Sequence, residues 1–144
     1  MPPMDSLSER MAHLGRTLGL REASHREALD EARRRAEGLH ARVAEGLAAF
    51  REAAATAGAD HLGASLGAVR LDEKHVRAIE FEIYRGRHRA VVVVKSRGEV
   101  TLVGPFRKGK VEGPCKSLPW DAADEITPAL AEFLEKFLEE ATAP

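Results

Sequence analysis

The chain has 144 residues, 44% of them hydrophobic and 31% charged, with a formal net charge of −1. That is the size of one ordinary domain with apolar material for one core, which excludes two full catalytic domains, global disorder and an integral membrane protein. The longest purely apolar stretch, Ala90 to Val94, falls far short of the ~18 residues a membrane span needs.

The opening Met1-Pro2-Pro3-Met4-Asp5 has neither the basic start nor the apolar run of a secretory signal, so a cytoplasmic location is expected. Cys115 is the one cysteine, which leaves no intrachain disulfide and no cysteine-built metal cluster. Charge is unevenly spread. Residues 1–59 carry nine Lys and Arg against nine Asp and Glu, residues 60–118 twelve against seven, and residues 119–144 one against seven. The middle is basic and the tail acidic.

From Ser6 to about Ala57 there is no proline, and alanine, arginine, glutamate and leucine dominate, a composition that predicts helix. Ser6 with Glu9, and Ser24 with Glu27, have the spacing of a capping box. Gly19 lies between them. The simplest expectation is a short helix over roughly 6–18 and a long one over roughly 22–57, with a turn near Gly19 to Arg21. An unbroken helix is the alternative, since an interior glycine costs only ~1 kcal/mol. Leu7, Met11, Leu14 and Leu18 step by four, three and four, and Leu29, Ala32, Ala36, Leu39 and Val43 make a second narrow seam. Past Val43 the seam shifts frame through Leu47, Phe50 and Ala54. So long and narrow a stripe needs a partner. The competing arrangements fold the two N-terminal helices into an intramolecular hairpin or pack the stripe against the protein's own sheet and C-terminal helix.

Three glycines within Gly58 to Gly67 read as a helix stop and linker. Beyond them Ile79, Phe81 and Ile83 alternate with Glu80, Glu82 and Tyr84, Val91 to Val94 is valine throughout, and Val100, Leu102 and Phe106 continue the pattern. A two-residue turn at Gly86-Arg87 sets Arg85 opposite His88 and Phe81 opposite Val92. A three-residue turn at Ser96-Arg97-Gly98 sets Lys95 opposite Glu99. One face of the sheet is then apolar. The other mixes charge with Val91, Val93 and Val103, a surface for the long helix, a second subunit or a partner. Val111 is a weak candidate for an edge strand among glycines and prolines. Asp121, Asp124 and Glu125 favour a helix N-terminus, Thr127-Pro128 suits a cap and first turn, and Ile126, Leu130, Phe133, Leu134, Phe137, Leu138 and Ala141 form the apolar face of a last helix.

The chemistry-bearing residues are sparse. Cys115 has Lys116 beside it but no motif that places a base. His13, His25, His40, His61, His75 and His88 are scattered without metal-ligand spacing, Asp60-His61 being the nearest approach. Neither glycine-rich nucleotide motif occurs, so no cofactor is expected. Arg85-Gly86-Arg87-His88-Arg89 and Arg107-Lys108-Gly109-Lys110 crowd cations onto two turns. They could grip phosphates, although strand ends also carry Lys and Arg to resist aggregation. Trp120, at the entry to the last helix, reads as a core plug rather than a binding anchor.

Together these features predict an α+β protein with three parts: a coiled-coil-like N-terminal arm (1–57), a Gly-rich linker (58–67), and a compact antiparallel β-meander of three or four strands with a C-terminal helix packed on it (68–144). The expected function is non-enzymatic, that of a small adaptor or structural subunit. It would self-associate through Leu29, Leu39, Val43, Leu47 and Phe50 and meet a protein partner through Val91, Val93 and Val103. The alternative is binding of nucleic acid or another polyanion through Arg85, Arg87, Arg89, Arg107, Lys108 and Lys110. A third reading is a small enzyme built on Cys115.

Overall fold

The computed structural model describes residues 6–72, 77–109 and 113–144. Helix α1 runs unbroken over Leu7–Thr56, about 75 Å at 1.5 Å per residue. Ser6 caps it as expected, its hydroxyl accepting the Glu9 N–H at 3.1 Å. The break expected near Gly19 is absent, and Ser24 lies in mid-helix rather than at a cap. Good helix formers on both sides outweigh one glycine's preference. At the other end Gly58, with φ +90°, closes the helix. Its N–H bonds the Ala55 carbonyl and the Ala59 N–H bonds that of Ala54, the paired pattern of a glycine-terminated helix.

Next come β1 (Ser65–Leu66), β2 (Arg70–Leu71), β3 (Ala78–Arg85), β4 (His88–Lys95), β5 (Glu99–Arg107), β6 (Cys115–Pro119) and helix α2 (Ala123–Ala141). The strands form one antiparallel sheet in the order β1-β3-β4-β5-β6, with β2 also pairing β3. It is larger than the three or four strands expected, because β1 and β2 are two-residue pieces and β6 is bracketed by prolines. Both hairpin registers agree with the expectation: Arg85 faces His88, Phe81 faces Val92, and Lys95 faces Glu99. Gly86 and Gly98 take the positive φ that those turns require. Along β5 the register slips, Gly104 and Pro105 standing against Ala90 alone between the pairs Val91–Val103 and Arg89–Phe106. Gly104 occupies this bulge at φ +117°, where a Cβ would lie 3.0 Å from the Ala90 Cα and the Arg89 carbonyl oxygen.

Both helices cover the same face. Ala32, Ala36, Leu39, Val43 and Leu47 of α1 and Ile126, Leu130, Phe133, Phe137 and Leu138 of α2 share one core with Ile79, Phe81, Ile83, Val92, Val94, Val100 and Leu102. The second half of α1 and the sheet are thus a single packed unit, and the stretch expected to be a linker supplies β1. Helix α2 starts a turn earlier than Thr127-Pro128 implied. Pro128 lies inside it, and Thr127 bonds the Ala123 carbonyl. Trp120 packs against the core as a plug, with the Arg35 guanidinium 4.8 Å above its ring.

Candidate interaction surfaces

Three surfaces bear on function, and the first is the free end of α1. From Leu7 to Ser24 every residue is exposed, a projecting arm of about 27 Å. Leu7, Met11, Leu14 and Leu18 are 74%, 52%, 46% and 45% exposed. The residues expected to carry assembly lie elsewhere. Leu39, Val43 and Leu47 are buried in the chain's own core, and Leu29 and Phe50 pack against it. A side chain closed inside one chain cannot also be the seam between two, so the unpartnered apolar stripe is the earlier one.

The second surface is the open face of the sheet. Val91, Val93 and Val103 lie there half-buried, alternating with the core-facing residues Val92, Val94 and Leu102. Charged pairs ring them: Glu82 with Arg89 at 3.3 Å, Glu80 with Arg70 at 3.1 Å, and Glu99 with Lys95 at 3.2 Å and Arg97 at 2.7 Å. Thr101 and Ser117 hydroxyls meet at 2.9 Å. Burial, reinforced by neighbouring Asp72, raises the Glu80 carboxyl above its ordinary pKa despite Arg70. The Glu99 carboxyl is held low by hydrogen bonds from Arg97 and Lys95.

The third surface is the pair of basic turns. The structure brings them together, since the Lys108 N–H donates to the Arg87 carbonyl at 2.7 Å. Arg87, Arg107 and Lys108 are exposed at that corner, and Lys110 lies outside the described residues. Two of the expected anion-binding arginines are otherwise engaged. Arg85 donates to the carbonyls of Gly63 at 2.7 Å and of His61 and Ala141 at 3.3 Å, tying β3 to the end of α2 and the loop after α1. Arg89 is clamped between Glu82, the Gly86 carbonyl at 2.6 Å and the Tyr84 ring. A guanidinium already bonded to carbonyls or a carboxylate of its own chain has fewer donors left for a ligand.

Cys115 is exposed at the start of β6, an edge strand the sequence reading missed. The weak candidate Val111 lies outside the described residues. His40 is structural: its ring meets Phe81 edge-on at 5.1 Å, and its Nε2 lies 2.9 Å from the Gly67 carbonyl. Among the described residues no group of three or more His, Cys, Asp or Glu side chains is placed to hold a metal ion, and no helix is long and apolar enough to cross a membrane. Comparison with known proteins returns no match to any family model, curated protein or solved structure.

Proposed function

We propose that the protein is a non-enzymatic assembly subunit that self-associates through the exposed stripe of α1 and offers its compact body to a protein partner. The observation that carries this reading is the stripe itself. Four large apolar side chains at heptad spacing stand exposed on a helix, with no support from the rest of the described residues. An isolated helix of that length is marginal in water, and burying such a stripe against another helix is the ordinary way to stabilise it. The partner surface in this reading is the open sheet face around Val91, Val93 and Val103, where a small apolar centre has a polar rim.

Sedimentation equilibrium on the full chain tests it. The native protein is expected to be a dimer or larger, and a variant with Leu7, Met11, Leu14 and Leu18 all changed to Ser a monomer with an intact sheet and core. A native chain that stays monomeric up to high concentration overturns the reading.

A second reading, binding of nucleic acid or another polyanion, has one observation in its favour, the joining of the two basic turns through Lys108 and Arg87. It predicts heparin retention that weakens steeply with salt and is lost on charge reversal at Arg87 and Lys108. Retention that survives the reversal counts against it.

A further inference from the structure

The apolar stripe of α1 repeats with a period of eighteen residues. Leu7, Met11, Leu14 and Leu18 are followed at that distance by His25, Leu29, Ala32 and Ala36, and these by Val43, Leu47, Phe50 and Ala54. At about 3.6 residues per turn, eighteen residues are about five turns, so on one unbroken helix all three blocks face the same way. The second and third blocks face the chain's own sheet, where Ala32, Ala36, Val43 and Leu47 are buried. The exposed first block therefore looks into the continuation of the sheet layer, just past the sheet's end.

That placement restricts what can seat there. A helix packed beneath the arm stands off by about 8–10 Å, which puts it in the layer of this chain's sheet. If it ran in the same direction as α1, it would meet the sheet's end at the cleft of about 500 Å³ lined by His25, Arg77, Ala78, Val93, Lys95 and Arg97. A helix running the opposite way meets no such wall, because its own body lies beyond the tip of the arm. The spacing admits a second copy in that orientation. Four, three, four reads the same in both directions, so head-to-tail overlay sets Leu7 against the partner's Leu18 and Met11 against the partner's Leu14. The flanks Ser8, Gly15 and Thr17 are small and uncharged, leaving Arg10 as the one charge beside the seam.

We infer that the arm's occupant is the arm of a second copy, packed antiparallel, so that the dimer carries its two compact bodies at opposite ends of a shared helical pair. This rests on the self-association proposed above. The test uses full-length chains in which Cys115 is replaced by Ser, one bearing Leu7→Cys and the other Leu18→Cys, mixed and oxidised. A disulfide needs Cα atoms within about 7 Å. Antiparallel arms bring the two different cysteines together, while two copies of Leu7→Cys stand eleven residues, about 16 Å, apart.

The mixed disulfide is expected in at least tenfold excess over either symmetric one. Predominance of the symmetric Leu7→Cys product means parallel arms and overturns the orientation while leaving self-association standing. A sedimenting dimer that yields no disulfide in any combination places the contact elsewhere and also overturns it. Monomers throughout overturn both readings. Should the cysteine variants weaken association, spin labels on the native Cys115 of the unaltered chain provide a second measurement. Antiparallel arms keep the labels farther apart than the arm's own length of about 27 Å, and a shorter separation rejects the arrangement.

Discussion

Glu80 illustrates how single residues on the open sheet face are tuned. Its carboxyl is partly desolvated and stands near Asp72, and both effects raise its pKa above 4.5, with the Arg70 ion pair opposing them. A carboxyl whose folded-state pKa is raised holds its proton more tightly in the folded state, so its ionised form opposes folding above that pKa. The penalty shrinks as pH falls through the folded value and is gone below 4.5. Glu80→Gln is therefore expected to be at least as stable as the native chain at pH 7, with its relative advantage lost below about pH 4.5. Urea unfolding at both pH values checks this; a variant weakened more at pH 7 than at pH 4 would mean that the Arg70 pair dominates. Glu31 and Glu99 run the other way. Arginine and lysine partners lower their pKa, so what they contribute is present above 4.5 and fades as pH falls. Arg85 shows the same lesson for cations, since a residue that reads as an anion site is held by three carbonyls of its own chain.

At the scale of elements, α1 is two structures in one helix. From Leu29 onward it is held by tertiary packing, whereas Leu7 to Ser24 rests on propensity and the Ser6 cap. Gly38 lies in the packed half, where a Cβ would meet nothing within 4 Å. Gly38→Ala is expected to raise global stability by about 0.5–1 kcal/mol, because alanine loses less backbone entropy and no neighbour has to move. Thermal unfolding measures it, and a loss of stability would show that the site needs the glycine. The hairpins are legible in the sequence because their determinants are local: Gly86 and Gly98 set the turns, and alternation sets the faces. Strand β6 is less legible. Leu118 is its one buried side chain, and prolines flank it, so its place follows from an open ladder on β5 rather than from any pattern of its own.

For the whole molecule, the decisive quantity is a mismatch of lengths. Strands of eight or nine residues span about 26–30 Å, and one such sheet cannot cover a helix of about 75 Å. The excess becomes the arm. If arms pair, unfolding of the native chain is expected to shift to higher temperature as concentration rises, whereas the four-serine variant should show no such dependence. An equal, concentration-independent transition in both would argue against assembly through the arm.

The sequence by itself determined the α+β class, the helical first third, both hairpin registers, the apolar and mixed faces of the sheet, and the existence of the stripe on α1. Each depends on spacing within a few residues, where backbone geometry leaves little choice. Only the tertiary structure decided which part of that stripe is core and which is free, because leucines at the same spacing look alike whether or not a sheet lies beneath them. It likewise decided that Arg85 and Arg89 serve the fold while Arg87, Arg107 and Lys108 meet at one corner. Those outcomes depend on carbonyls and strands far away in the chain, and no local pattern carries that information.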